Sequence, residues 1–449
     1  MAAKPPHKSR VPTTRLGRLL RLGFTAGELA IGGAVEGVRR LSRVTPDDAV
    51  NVFLTATNAE KLARRLAGMR GAAMKMGQML SMESADILPR EFTEALATLR
   101  DSANRMPRSQ VRGVLGREYG KGWEARFESF DYEPAAAASI GQVHRARTRD
   151  GRDLALKIQY PGVARSIDSD VDNMALFLRV ANILPIEMDI SGIVAEVKRQ
   201  LREEADYRIE ADNLRRYRRL VRDEPDFLVP RVHDDLTTTR ILAMDFMDGE
   251  ALDSLGRPGV AQKERDRCGS LLQRLLFREL FEFRTMQTDP NFANYLYRPR
   301  RHAGNRRGES QIVLLDFGST AHFPKAFTER YARISRALIA GDDDATRRYA
   351  EEIGYLRPSD SPQHAERLLE VIRLACEPIC HKGVYDFGSS DLAVRARDAG
   401  IEMLFKSGGE FRAPPPETVF LHRKLVGSFL VCARIRARVR VQDLIKGYL

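Results

Sequence analysis

Apolar positions change their period several times along this chain. Leu62, Leu66 and Met69 recur at helical spacing toward Met76. Thr45-Pro46-Asp47-Asp48 reads as a helix start, with a capping threonine, proline at the first helical position and acids in the first turn. Leu88-Pro89 interrupts the pattern and Glu91–Leu99 resumes it, so roughly 45–115 is expected to be helical. The texture then shifts toward period two. Phe127–Tyr132 precedes an alanine run, Gln142–Ala146 alternates, Arg149–Asp153 is a turn, and Asp153–Gln159 (DLALKIQ) reads as a strand. Together these predict a hairpin whose second strand carries Lys157. Ile193–Leu220 reads as one long, highly charged helix, and Thr239–Phe246 as a buried strand. From Arg265 onward the pattern is helical apart from a short strand at Gln311–Leu315, and 298–310 is a basic loop.

Composition narrows the class. Hydrophobic residues make up 43% of the 449 positions and charged residues 30%, which excludes wholesale disorder and collagen-like repeats. No run approaches the ~18 consecutive apolar residues of a membrane span. Four cysteines exclude a disulfide scaffold and suit a reducing compartment. Cys376 and Cys380, with His381 beside them, offer too few ligands for zinc and are expected on a buried helix face.

The net charge of +12 favours anionic partners. No nucleic-acid recognition motif accompanies it and the basic residues are scattered, so nucleic acid is not an expected partner. Part of the excess sits at the start: Lys4, Lys8, Arg10, Arg15, Arg18 and Arg21 precede the first acid, Glu28. A basic amphipathic segment lying on an anionic membrane, a solvated tail and an organelle transit peptide are three open readings of this stretch.

The chemistry-bearing motifs lie in the second half. TDPNFAN sets Asp289 and Asn294 five positions apart, and LLDFG puts Asp316 at the end of an apolar strand. The protein-kinase catalytic loop has the same Asp-to-Asn spacing, followed by Asp-Phe-Gly. The loop Asp must reach the acceptor hydroxyl while the Asn turns back toward a metal, and the second Asp holds that metal on the phosphates. All these ligands are hard oxygens, which suits Mg²⁺ carried with ATP or ADP. A lone Asp-Phe-Gly is weak, because a second copy occurs at Asp386-Phe387-Gly388 without a preceding apolar strand; it reads as a turn. Lys157 is the expected phosphate-binding lysine, and Glu203, Glu204, Asp206 and Glu210 are its candidate partners. Two features depart from protein kinases. Ala136, Ala137, Ala138 and Ser139 stand where a glycine-rich loop is expected, so nucleotide placement should be altered. Only Ser319–His322 separate the first Asp-Phe-Gly from Phe323-Pro324 and a new helix, which leaves no activation segment for peptide docking.

KMGQ (75–78), AAASIGQVH (136–144), LKIQYPGV (156–163), EADY (204–207), QTDPNFAN (287–294), LLDFG (314–318) and HRKL (422–425) occur in order. This set resembles the AarF/UbiB family of atypical kinases, the ADCK-type proteins of ubiquinone biosynthesis, from about residue 45 to beyond 430. The resemblance implies an α+β, protein-kinase-like two-lobed fold with a helical N-terminal extension carrying the KxGQ motif. The expected parts are a basic tail (1–44), the extension (45–115), an N-lobe (116–248) and a C-lobe (249–449). It further implies that Lys75 pairs with Glu204, that Lys157 pairs with Glu210, and that Asp206 lines the site. Positions 204 and 210 would differ by about 120° around one helix, so they could face different lysines.

The reading that follows is Mg-ATP-dependent phosphoryl chemistry, as an ATPase or small-molecule kinase supporting ubiquinone and isoprenoid lipid synthesis. Lys157 would orient the α/β-phosphates with the alanine-rich loop beside them, Asn294 and Asp316 would hold Mg²⁺, and Asp289 would orient or deprotonate the acceptor. The alternative is a nucleotide-switched scaffold or lipid-binding module without turnover. Expected partners are ATP, an isoprenoid lipid or quinone precursor, ubiquinone-biosynthesis proteins and an anionic membrane touched peripherally. The expected setting is the cytoplasm at the inner membrane, or the mitochondrial matrix in a eukaryote.

Overall fold

The computed structural model describes residues 71–73, 75–76, 105–180, 190–289, 291–300, 308–396, 398–399 and 415–449. The expected basic tail, most of the extension and part of the 298–310 loop lie outside the described residues. The chain divides into two compact units. One holds the residues up to Ala211 together with Val232–Phe246, and the other holds Asp212–Arg231 and Met247–Leu449.

The first unit is built on an antiparallel sheet. Helix α1 (Arg108–Tyr119) buries Val111, Val114 and Leu115, one stripe at helical spacing. Strands β1 (Phe127–Phe130), β2 (Ala136–Ala137), β3 (Gly141–Thr148) and β4 (Asp153–Gln159) follow, then helices α2 (Val163–Val180) and α3 (Ser191–Glu204), the start of α4 (Tyr207–Leu220), which passes into the second unit after Ala211, and strand β5 (Ile241–Asp245). β4 is central, paired with β3 on one side and β5 on the other, while β1 and β2 both pair with β3. Successive side chains of β4 take opposite faces. Leu154, Leu156 and Ile158 enter the core with Val111, Leu115 and Trp123. Ala155, Lys157 and Gln159 take the other face, which puts a lysine between apolar neighbours, Leu156 and Ile158.

The long helix expected over 193–220 is two helices. α3 stops at Glu204 and α4 starts at Tyr207. Asp206 breaks the run: its Oδ1 accepts the Arg208 backbone N–H at 3.0 Å, a local bond that competes with helix continuation. Gln159 Nε2 seals the break by donating to Ala205 O at 2.7 Å. The single-helix phase relation expected between 204 and 210 therefore does not apply.

The second unit contains a four-stranded sheet, in the order Phe227–Leu228, β9 (Gln311–Leu314), β8 (Tyr295–Arg298) and β6 (Glu250–Ala251). Helix α5 (Gln262–Phe277) runs into a π turn at Arg278–Glu282, and β7 (Thr285–Gln287) pairs with β10 (Thr320–His322). Helices α6 (Lys325–Ala340), α7 (Asp343–Ile353), α8 (Pro362–Ala375) and α9 (Glu377–Cys380), strand β11 (Tyr385–Asp386), helix α10 (Pro416–Arg434) and strand β12 (Arg438–Val439) complete the parts used below. The mainly helical reading after Arg265 missed β7, β8 and β10, which are three or four residues long and too short to show alternation. Cys376 is not on a continuous helix face with Cys380. It lies at the break between α8 and α9, just before Pro378, and both cysteines are only half-buried. Burial pushes the Cys376 thiol up to about 12 and Cys380 to about 11, so both stay protonated at neutral pH.

Candidate active site

In the first unit two lysines meet two glutamates. Lys157 Nζ donates to both carboxylate oxygens of Glu210, at 2.8 and 2.9 Å. Lys157 is 7% exposed and Glu210 is 3% exposed, so each charge depends on the other. The ammonium also lies 5.3 Å from the centroid of the Tyr207 ring, a cation–π contact. Lys75 is buried as well and forms an ion pair with Glu204, the last residue of α3. Ser139 Oγ donates to the other oxygen of Glu204 at 3.2 Å. Glu204 thus ties the KxGQ lysine to the alanine-rich segment.

That segment is not a free flap. Ala136 and Ala137 pair with Val143 and Gln142 as β2, and Ala138 N–H donates to Gly141 O at 2.9 Å. Gly141 is required by close approach: a Cβ there would stand 2.3 Å from Ile158 O and 2.9 Å from Tyr207 Oη. The Asp206 carboxylate, half-buried, is the one that interrupts the helix.

In the second unit the loop after β7 holds Asp289 and Asn294. Asn294 Nδ2 donates to Asp289 O at 2.8 Å and to Asp289 Oδ2 at 3.2 Å. Asn291 Oδ1 accepts the Ala293 N–H at 3.1 Å and starts the 3-10 turn Phe292–Asn294 that carries Asn294. Leu315 N–H donates to Asn294 O at 3.0 Å, and Thr288 N–H to Ser319 O at 2.8 Å, so the loop is stitched to the Asp-Phe-Gly segment on both sides. Asp316 Oδ1 accepts the Gly318 N–H at 2.9 Å. Phe317 is 1% exposed, tilted on Tyr217 at 4.5 Å, and its carbonyl accepts from Asn213 Nδ2 at 3.0 Å. From there β10 and Phe323-Pro324 lead directly into α6.

The donor set fits a hard cation. Asn294 turns its Nδ2 to Asp289, and its amide oxygen and the Asp316 carboxylate are the donors that could hold a metal. Oxygen ligands of this kind suit Mg²⁺ with nucleotide phosphates.

The ABC1 atypical kinase-like domain matches residues 98–350, more than half of the chain. The chain belongs to the ABC1 atypical kinase-like family. Among its relatives, the rat protein named atypical kinase COQ8B, mitochondrial, is 37% identical over 97% of this chain and 80% of its own length. The budding-yeast protein named atypical kinase COQ8, mitochondrial, is 34% identical over 98% of this chain and 85% of its own. A solved Mycobacterium tuberculosis protein, Rv3197, described as a complex with erythromycin, is 27% identical. It superposes with a TM-score of 0.60 over 90% of this chain and 98% of its own. The chain is thus a kinase-like α+β phosphoryl-transfer enzyme, a class that uses ATP or ADP with Mg²⁺.

One part of the site was not foreseen. His422-Arg423-Lys424 on α10 reaches the loop from the far end of the sequence. Arg423 Nη2 donates to Asp289 Oδ1 at 2.6 Å. Lys424 Nζ lies 3.0 Å from Glu279 Oε2 and donates to Gln287 Oε1 at 3.2 Å. Glu279, fully buried on the π turn, also accepts from Tyr217 Oη and from Gln287 N–H at 3.1 Å. Lys424 keeps its proton to above the usual lysine range: burial works against the charge, and the Glu279 carboxylate outweighs it. The sequence signal was HRKL, present among the resemblance motifs without a role of its own.

Proposed function

We propose that this chain binds Mg-ATP and transfers its terminal phosphoryl group to water or a small molecule, in support of ubiquinone and isoprenoid lipid synthesis. The observation that carries the reading is the buried Lys157–Glu210 pair, which holds a phosphate-binding ammonium in place on a rigid strand. Lys157 would hold the α/β-phosphates, with Ala136, Ala137, Ala138 and Ser139 beside them and Asp206 lining the site. Asn294 and Asp316 would hold Mg²⁺, and Asp289 would orient or deprotonate the acceptor. Lys75 and Glu204 would set the position of the alanine-rich segment on the nucleotide. The link to ubiquinone synthesis comes from the resemblance together with the COQ8-named relatives, whose names also place them in mitochondria. No helix among the described residues is long and apolar enough to cross a membrane. The lipid-facing role proposed is peripheral contact with an anionic surface by the basic N-terminal residues, at the inner membrane or on the matrix side.

The test is phosphate release from Mg-ATP by the purified chain, with and without anionic liposomes, beside Asp289→Asn. Turnover that rises on liposomes and vanishes in the variant supports the reading. Nucleotide binding without turnover in either protein would replace it with a nucleotide-switched scaffold.

A further inference from the structure

The acceptor loop has no cation of its own. Its residues are Asp289, Pro290, Asn291, Phe292, Ala293 and Asn294. Phosphoryl transfer concentrates negative charge around the acceptor and the moving group, and enzymes of this kind hold positive charge there in advance. Arg423 brings such a charge from 134 positions away. Its guanidinium takes Asp289 Oδ1 at 2.6 Å while Asn294 takes Oδ2 at 3.2 Å, so both carboxylate oxygens are engaged and the rotamer is fixed. The arginine side chain is only 9% exposed. Its neighbours hold it in register. Lys424 is locked to Glu279 and Gln287, and His422 Nε2 is hydrogen-bonded with Tyr355 Oη at 2.5 Å. Adjacent residues of α10 therefore grip Gln287, the last residue of β7, and Asp289, two positions on in the loop.

We propose that Arg423 is the positioning residue of the acceptor loop: it aims the Asp289 carboxylate at the acceptor hydroxyl or water and supplies the positive charge the loop lacks. The inference rests on the reading of Asp289 given above. Arginine suits this place because it stays charged at every working pH and is less strongly hydrated than an ammonium. Nucleotide binding is assigned to other residues, so loss of Arg423 should slow turnover without loosening Mg-ATP.

The experiment measures kcat for phosphate release and Mg-ATP affinity by calorimetry. It uses the full chain as wild type, Arg423→Ala, Arg423→Lys and Asp289→Asn. Arg423→Ala is expected to lose about 100-fold in kcat with affinity within about twofold of wild type, and Arg423→Lys to be at least about tenfold faster than Arg423→Ala. A kcat for Arg423→Ala within about threefold of wild type overturns the inference, and so does a lysine variant no faster than the alanine one. If Arg423→Ala does not fold, Arg423→Gln, which keeps an N–H donor without the charge, takes its place with the same thresholds. Unchanged turnover in Asp289→Asn overturns the reading of Asp289 instead.

Discussion

The tripeptide Asp-Phe-Gly occurs at 316–318 and again at 386–388, and over those three residues the two copies fold alike. In each, the aspartate Oδ1 accepts the glycine N–H, at 2.9 Å in the first and 3.0 Å in the second. In each the phenylalanine is 1% exposed. Phe317 packs on Tyr217, and Phe387 on Tyr385 and Phe429. The surroundings separate them. Asp386 gives its second oxygen to Arg438 at 3.2 Å on an exposed edge. Asp316 follows the fully buried strand β9, whose partner strand β8 begins next to Asn294, and Leu315 is bonded to that asparagine. The turn is thus a local property of Asp-x-Gly. The metal role proposed for Asp316 rests instead on its neighbour Asn294, at the end of the 3-10 turn before β8.

The contrast is open to four tests. Where the copies are alike, they should fail alike: Phe317→Ala and Phe387→Ala should each cost about 3–5 kcal/mol in chemical denaturation. Where they differ, only one should matter. Asp316→Asn should weaken Mg-ATP binding in calorimetry and cut phosphate release about 1,000-fold, roughly 4 kcal/mol of barrier, while Asp386→Asn stays within about twofold of wild type. Equal nucleotide affinity in Asp316→Asn and wild type would remove the metal assignment.

Acid should then weaken the support of the first copy's loop. Burial lowers His422 to about 4. Between pH ~6.5 and ~4 the unfolded chain takes up a proton that folded His422 refuses, so its contribution is whole above ~6.5 and falls away toward ~4. The loss amounts to about 3 kcal/mol. It should show as a difference in stability between wild type and His422→Gln that varies across this window. The smallest effect belongs to Arg438→Ala, whose exposed pair with Asp386 is worth no more than about 1 kcal/mol.

The parts legible in the sequence are those with local pattern. β4 was readable because DLALKIQ alternates between two strong turns, and the Lys75–Glu204 and Lys157–Glu210 pairs followed from motifs whose order marks the family. The break at Asp206 was hidden because apolar spacing continues across it, and only the capping bond of its side chain reveals it. Arg423 was hidden for a different reason. Its partner is 134 positions away, and no fixed spacing joins an arginine near the end of a chain to an aspartate in a loop. The short strands β7, β8 and β10 owe their existence to pairing with one another and with β9, which periodicity cannot register.

The π turn at Arg278–Glu282 has a consequence for shortened forms of this protein. Its one extra residue per turn sets Glu279 in the interior, where it gathers Tyr217, Gln287 and Lys424. The first two are made early in synthesis and the lysine late. A chain that stops before α10 keeps KxGQ, the alanine-rich segment, QTDPNFAN and LLDFG, and would pass any motif search. It would also enclose a carboxylate with no counter-charge, at a cost of about 3–5 kcal/mol beneath the very loop those motifs advertise.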